Sequence, residues 1–166
     1  TVFLPAVFTG AQQAKKVWRI GFLSSVSPEL NSHLYTAFLQ GLRDLGYVEG
    51  QNIVIEPRWA EGKIDRLPEL AAALVRLKVD LIVSTGGTVT ALAAKSVTTT
   101  IPIVFTAGGD LVKVGLIASL ARPGGNLTGL SLLTTELSVK RLELLKEVFP
   151  KVRRVAVLGN PANPVS

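Results

Sequence analysis

The chain has 166 residues, 48% of them hydrophobic and 18% charged, with a formal net charge of +6 and no cysteine. This composition suits one packed domain and argues against disorder, and the lack of cysteine excludes disulfides, thiolate metal sites and cysteine nucleophiles. No apolar run is long enough to span a bilayer. Lys and Arg are scattered without interleaved aromatic residues, so we interpret them as a solvated surface and predict no nucleic-acid partner.

The opening residues, 1–14, are uncharged and rich in apolar side chains. Small residues at Thr9 and Ala11 match the pattern that signal peptidase reads, so we predict a truncated signal peptide with cleavage after Ala11. A disordered or edge-strand leader is the alternative. The signal interpretation predicts an exported protein that works in the periplasm or an equivalent extracytoplasmic space.

Strand and helix patterns alternate through the rest of the chain. Short apolar runs predict strands at 17–22, 53–55, 81–83, 103–105, 127–132 and 155–158. Helical spacing predicts helices after Pro28, after Asp65, at 88–95, at 111–120, and from Thr134 or Thr135 to Pro150. This run of β-α units predicts an α/β fold, a doubly wound and mostly parallel sheet.

Finer details of these elements are also predicted. The first helix is expected to bury one face, and Pro57 is expected to end the second strand. Asp65 is expected to cap the second helix, with Pro68 in its first turn. The predicted buried face of the first helix consists of Leu34, Ala37, Phe38, Gly41, Leu42 and Leu45.

Ligands of open α/β sheets bind at the carboxyl ends of the strands, where the strand order reverses. The loops there are rich in small hydroxyl residues, glycines and helix starts, which suit a carboxylate or another anion. Asp110 is the one acid among them and is a candidate to hold an ammonium group. The candidate ligand-binding residues are Ser24, Ser25, Thr85, Gly86, Gly87, Thr88, Gly109, Asp110 and Asn160.

Each loop taken alone has a structural explanation, because Ser, Thr and Asp cap helices and Gly-Gly permits a tight turn. Signals of catalysis are weak. His33 is the single histidine, so no histidine metal cluster can form, and neither a G-x-S-x-G elbow nor a phosphate-binding loop occurs. The sequence therefore predicts a binding protein without metal, cofactor or catalytic residues.

The sequence resembles ABC-transporter substrate-binding proteins of the tryptophan-binding-like family over about 17–166. The stretches that carry the resemblance are FLQGL at 38–42, GYVEGQN at 46–52, RWAEG at 58–62, DLIVSTG at 80–86, IPIVF at 101–105, Gly109-Asp110, GLIASLARPGGNLTG at 115–129, KRLELLK at 140–146 and Asn160-Pro161. The sharpest of these is the stretch from Gly109 to Gly129.

The resemblance implies a type I periplasmic-binding-protein fold, in which two lobes close on a small ligand such as an amino acid. It implies a leader at 1–14, a first lobe at 15–130, and a crossover with the start of a second lobe at 131–166. A membrane permease is the implied partner. The candidate residues named above become first-lobe contacts, and Asn160 becomes a contact from the second lobe.

Two positions depart from the family pattern. A proline commonly follows the Gly-Asp pair and a small residue stands two positions later, whereas Leu111 and Lys113 occupy these places. Lys113 adds a cation near the expected pocket and puts the ligand identity in doubt. A ligand-sensing module of a receptor or regulator with the same fold is the alternative function, and an enzyme on a doubly wound sheet is a third.

Overall fold

The computed structural model describes residues 16–132 and 134–156. Its centre is a parallel five-stranded sheet with the order β2-β1-β3-β4-β5. The predicted α/β fold is therefore confirmed. The elements are β1 Trp18–Ser24, α1 Pro28–Asp44, β2 Ile53–Trp59, a short 3₁₀ helix Ile64–Arg66, α2 Leu67–Arg76, β3 Leu81–Thr85, α3 Thr88–Val97, β4 Ile103–Gly108, β5 Leu127–Leu132 and α4 Thr134–Val148.

The two faces of the sheet have separate cores. On one face, α1 packs over β1 and β2 around Phe22, whose ring lies 4.8 Å from that of Tyr35 and 5.1 Å from that of Trp59. On the other face, α2 and α3 cover β1, β3, β4 and β5, with Leu74 and Phe105 among the buried side chains. Right-handed crossovers explain this division, because the chain moves one way from β1 to β2 and the other way thereafter.

The predicted helix at 111–120 is wrong. After one turn, the Leu116 N–H donates to Leu111 O over 2.9 Å and the Gly115 N–H donates to Val112 O over 2.9 Å. This bond pair, with φ of +72° at Gly115, is the Schellman arrangement that ends a helix. Leu111 and Leu116 are buried, which completes the hydrophobic contact of that motif. A single glycine thus overrides the helical spacing of the apolar residues.

Two boundary predictions are also wrong. Strand β2 continues through Pro57 to Trp59 because β2 is an edge strand, where a residue without an N–H is tolerated. Asp65 lies inside the short 3₁₀ helix, and α2 has no side-chain cap. The prediction of Pro68 in the first turn of α2 is confirmed.

The predicted buried face of α1 is only partly right. Phe38 and Leu42 pack against the sheet, together with Tyr35 and Leu39. Leu34 and Leu45 are 59% and 75% exposed, and Ala37 and Gly41 are exposed as well. The apolar arc of this helix is broader than the face that the sheet covers, so spacing alone did not identify the buried part.

The remaining predictions concern the two ends of the chain. Residues 1–14 and Asn160 lie outside the described residues, as do two residues of the strand predicted at 155–158. Val155 and Ala156, which are described, have no regular secondary structure. No helix in the described ranges is long and apolar enough to cross a membrane.

Gly129 is predicted to be irreplaceable for packing. A Cβ at this position would collide with the backbone oxygen of Phe105 and lie 2.8 Å from its Cγ. We expect Gly129→Ala to lower the free energy of unfolding by about 1–3 kcal/mol, measured by urea denaturation. Gly41→Ala is the control, because nothing lies within 4 Å of its added methyl group, and it should raise stability by about 0.5–1 kcal/mol. Equal effects of the two variants would contradict this packing model.

The ionisation of Asp80 should make the free energy of unfolding depend on pH in the acid range. Its carboxylate accepts from the Arg19 N–H over 2.8 Å and from Lys16 Nζ over 2.7 Å, and these bonds hold the pKa of Asp80 below its ordinary value of 3.8. The ionised Asp80 carboxylate therefore stabilises the fold at pH values above its ordinary pKa. This stabilisation is lost as the pH falls through the lowered pKa. We expect Asp80→Asn to be less stable than the parent near neutral pH and equally stable in strong acid.

Chemical denaturation across a pH series measures this effect. The control is Asp65→Asn, which removes an exposed carboxylate that has no hydrogen bond to any described residue. A stability gap for Asp80→Asn that stays constant across the acid range would refute the assignment.

Candidate functional site

The candidate site lies at the carboxyl edge of the sheet, where the strand order reverses at β1. The helix after β1 packs on one face and the helix after β3 packs on the other. The loop from β1 to α1 and the loop from β3 to α3 therefore diverge and leave a crevice between them. Ligands of such sheets usually bind in this crevice.

Ser24 and Thr85 lie side by side in this crevice. They are register partners at the last position of β1 and β3. Ser24 Oγ accepts from the Val26 N–H over 3.2 Å and so supports the loop that leads to α1. Thr85 Oγ1 is buried and has no hydrogen-bond partner among the described residues. A buried hydroxyl without a partner costs stability, and Thr85 is the one at the last position of a strand, where an incoming polar group could reach it.

The loops after β1 and β3 are bonded to each other. Ser25 Oγ donates to Gly86 O over 2.7 Å. A Cβ at Gly86 would collide with that Oγ and lie 2.9 Å from the Ser25 N, and Gly86 has φ of +84°. Only glycine fits this close approach. Ser25 and Gly86 thus shape the crevice, and the Ser25 hydroxyl proton is already committed.

The N-terminus of α3 opens on the same edge. Gly87, with φ of +108°, is the N-cap and supplies no side-chain bond. The N–H groups of Thr88 and Val89 have no protein acceptor among the described residues, since the helical bonds to Gly87 O begin at Thr90. Unfilled N–H groups at a helix start attract negative charge, and a ligand carboxylate suits them.

Thr88 and Asp110 have structural roles that the sequence left open. Thr88 is 2% exposed, and its Oγ1 donates to Gly108 O over 2.8 Å, which ties α3 to the end of β4. Asp110 Oδ1 accepts from the Lys113 N–H over 3.0 Å and so caps the turn at 111–115. Gly109 is buried beside them, and its N–H donates to Leu132 O over 3.3 Å. Through these bonds the end of β4 is held against the start of α3 and the end of β5.

A fourth segment joins the site, and sequence reasoning missed it. The Ala60 N–H donates to Ser24 O and the Gly62 N–H donates to Ser25 O, each over 2.8 Å. The turn at 60–63 therefore lies against the loop after β1. Its Glu-Gly pair signals a turn in the sequence, but nothing local indicates which loop that turn contacts.

Between β1 and β3 the edge offers neutral donors, and the acids Asp110 and Glu61 lie in the loops that flank them. In the residues that the structure describes, no group of three or more His, Cys, Asp or Glu could hold a metal ion. Hydroxyl and backbone N–H groups recognise an anion by hydrogen bonding and by the partial positive charge of a helix start. The arrangement can bind and orient a small carboxylate.

Two buried threonines at the start of α3 should respond oppositely to loss of the hydroxyl. Thr88→Val removes the donor to Gly108 O and should cost about 1–2 kcal/mol of stability. Thr90 is fully buried with an unpartnered Oγ1, so Thr90→Val should be neutral or stabilising. Urea denaturation of both variants checks the prediction, and a destabilised Thr90→Val would show that its hydroxyl has an unrecognised partner.

Comparisons with known proteins agree on one family. The family model described as "ABC transporter substrate binding protein" matches residues 19–166. The chain is 36% identical over 148 residues to a "Tyrosine-binding protein" of Clostridioides difficile, an alignment that covers 89% of this chain and 42% of the relative.

Two solved structures are similar as well. A conserved domain protein from Vibrio cholerae has a TM-score of 0.78 at 35% identity, covering 89% of this chain and 49% of that one. An ABC domain from Streptococcus pneumoniae in complex with L-Trp has a TM-score of 0.63 at 30% identity, covering 70% and 39%. The chain thus spans less than half the length of these proteins. With the fold, these matches show that the chain belongs to the ABC transporter substrate-binding protein family.

Proposed function

We propose that this chain forms one wall of an extracytoplasmic binding cleft that captures an amino acid and delivers it to a membrane permease. The observation that carries the proposal is that Thr85 Oγ1 and the N–H groups at the start of α3, which have no partner among the described residues, both lie at the carboxyl end of β3. The similar proteins named for tyrosine and bound to L-Trp support an aromatic amino acid as the first ligand to test.

The carboxylate of the amino acid would lie between β1 and β3. Thr85 Oγ1 and the N–H groups of Thr88 and Val89 are the donors for it, with Ser24 Oγ beside them in register. Gly86 and Gly87 let the backbone approach this closely, and Ser25 holds the Gly86 carbonyl away from the anion. Neutral donors suffice because hydrogen bonds to a charged acceptor are the stronger class.

A second lobe would close over the ligand. In this proposal residues 131–166 contain the crossover and the start of that lobe, with the chain leaving the first sheet after β5 ends at Leu132, and Asn160 is the first contact from the second lobe. Ligand affinity that is higher in the closed form shifts the population toward closure, and the closed form is the one that the permease recognises. Gly109 and Asp110, on the neighbouring β4 loop, would line the side of the cleft.

Removal of the Thr85 hydroxyl tests the carboxylate site. Calorimetric titration of the complete protein that carries this lobe, with tyrosine, tryptophan and a panel of other amino acids, should identify a ligand. Thr85→Val should bind it about ten- to a hundredfold more weakly, the loss expected for one hydrogen bond to a charged group. The same variant should be as stable as the parent or more so, because it removes an unpartnered buried hydroxyl.

Thr90→Val is the matched control. It makes the same chemical change to another buried and unpartnered threonine of the described chain, in the first turn of α3, and should leave affinity unchanged. No binding across amino acids, peptides and small carboxylates would refute the proposed function. Equal affinity of Thr85→Val and the parent would refute the carboxylate site.

A further inference from the structure

Glu61 occupies a turn that is poorly suited to a glutamate. The Lys63 N–H donates to Ala60 O over 2.9 Å, and the two central residues, Glu61 and Gly62, have φ of +54° and +79°. Two consecutive positive φ values define a type I′ turn, which favours Asn or Gly at the first central position. A glutamate there is strained, and strained residues that persist cluster at ligand sites.

This turn is directly bonded to the candidate site. The Gly62 N–H donates to Ser25 O over 2.8 Å, and Ser25 Oγ donates to Gly86 O over 2.7 Å. Two hydrogen bonds therefore connect the backbone beside Glu61 to the loop that precedes α3. The turn that carries Glu61 and the loop that precedes α3 therefore lie at the same edge of the sheet.

The carboxylate of Glu61 is available for a ligand. Glu61 is exposed, and no ion pair or side-chain hydrogen bond joins it to another residue in the described ranges. Asp110, the acid that the sequence offers for an ammonium group, already accepts the Lys113 N–H as a cap. Of these two acids at the carboxyl edge, Glu61 is the one without a structural role.

We propose that Glu61 is the acid of this lobe that recognises the ammonium group of the ligand, a proposal that rests on the proposed amino-acid-binding function. The neutral donors between β1 and β3 hold the carboxylate of the amino-acid ligand. The carboxylate of Glu61 faces the ammonium group of the same ligand. The strain at Glu61 is retained because Asn or Gly, which fit the turn better, lack this charge.

The test separates charge from backbone strain. Glu61→Gln removes the charge and keeps a side chain unsuited to positive φ, whereas Glu61→Asn removes the charge and also relieves the turn. In the complete protein, calorimetry compares tyrosine and tryptophan with their desamino analogues, hydroxyphenyl propionate and indole propionate. The parent should prefer the amino acids, and both variants should lose about tenfold of that preference through weaker binding of the amino acids alone.

Lys78→Asn is the matched control for strain. Lys78 is the other non-glycine residue with positive φ in the described chain, at +53°, and it follows α2 at the opposite edge of the sheet. Glu61→Asn and Lys78→Asn should each raise Tm by about 2–5 °C, while Glu61→Gln should not. Only the Glu61 variants should change the ligand preference.

Asp110→Asn tests the other candidate acid for the ammonium group, because asparagine retains the cap and removes the charge. Loss of the ligand preference in Glu61→Gln supports Glu61 as the ammonium partner. If Asp110→Asn loses the preference while Glu61→Gln keeps it, the role of Glu61 is overturned and the cleft itself stands. If the parent protein binds no amino acid at all, the proposed function fails, and this inference fails with it.

Discussion

The reversal of strand order at β1 is the constraint on which the rest of the site depends. Because β2 and β3 lie on opposite sides of β1, the chain must leave the two central strands toward opposite faces. This divergence opens the crevice and places Ser24 and Thr85 next to each other in register. Two hydrogen bonds hold the flanking loops in place, one from Ser25 to Gly86 and one from Thr88 to Gly108. These bonds connect the loops after β1, β3 and β4 along the edge.

The parts of the fold that were predictable from sequence are those with a strong local cause. Strand β5 was predicted with its observed bounds, and the central strand β3 was recognisable because it is apolar on both faces. The failures have tertiary causes. Gly115 ends a helix whose apolar spacing would let it continue, and Pro57 is accepted because β2 has a free edge. Neither the free edge nor the covered face of α1 is visible in local spacing.

The candidate site was predictable as a set of loops and not as a set of functional groups. The rule that ligands bind at the carboxyl ends of strands selected these loops, and the structure bonds three of them together. Which hydroxyls remain free depends on partners that are distant in sequence. Thr88 donates to a residue 20 positions away, whereas Thr85 has no partner among the described residues. The contribution of the turn at 60–63 depends in the same way on a contact with the loop after β1.

Three features of this edge bear on both the stability of the lobe and the binding of a ligand. The Thr85 hydroxyl and the N–H groups at the start of α3 have no partner among the described residues, and Glu61 lies in a strained turn. Each of these features lowers the stability of the lobe. They lie along one edge, and the Ser25 bonds connect the loops that carry them. Thr90 is the informative contrast, because its unpartnered hydroxyl is buried inside α3. Thr85 differs from Thr90 in its position, because it ends a central strand at the edge where the loops after β1 and β3 diverge.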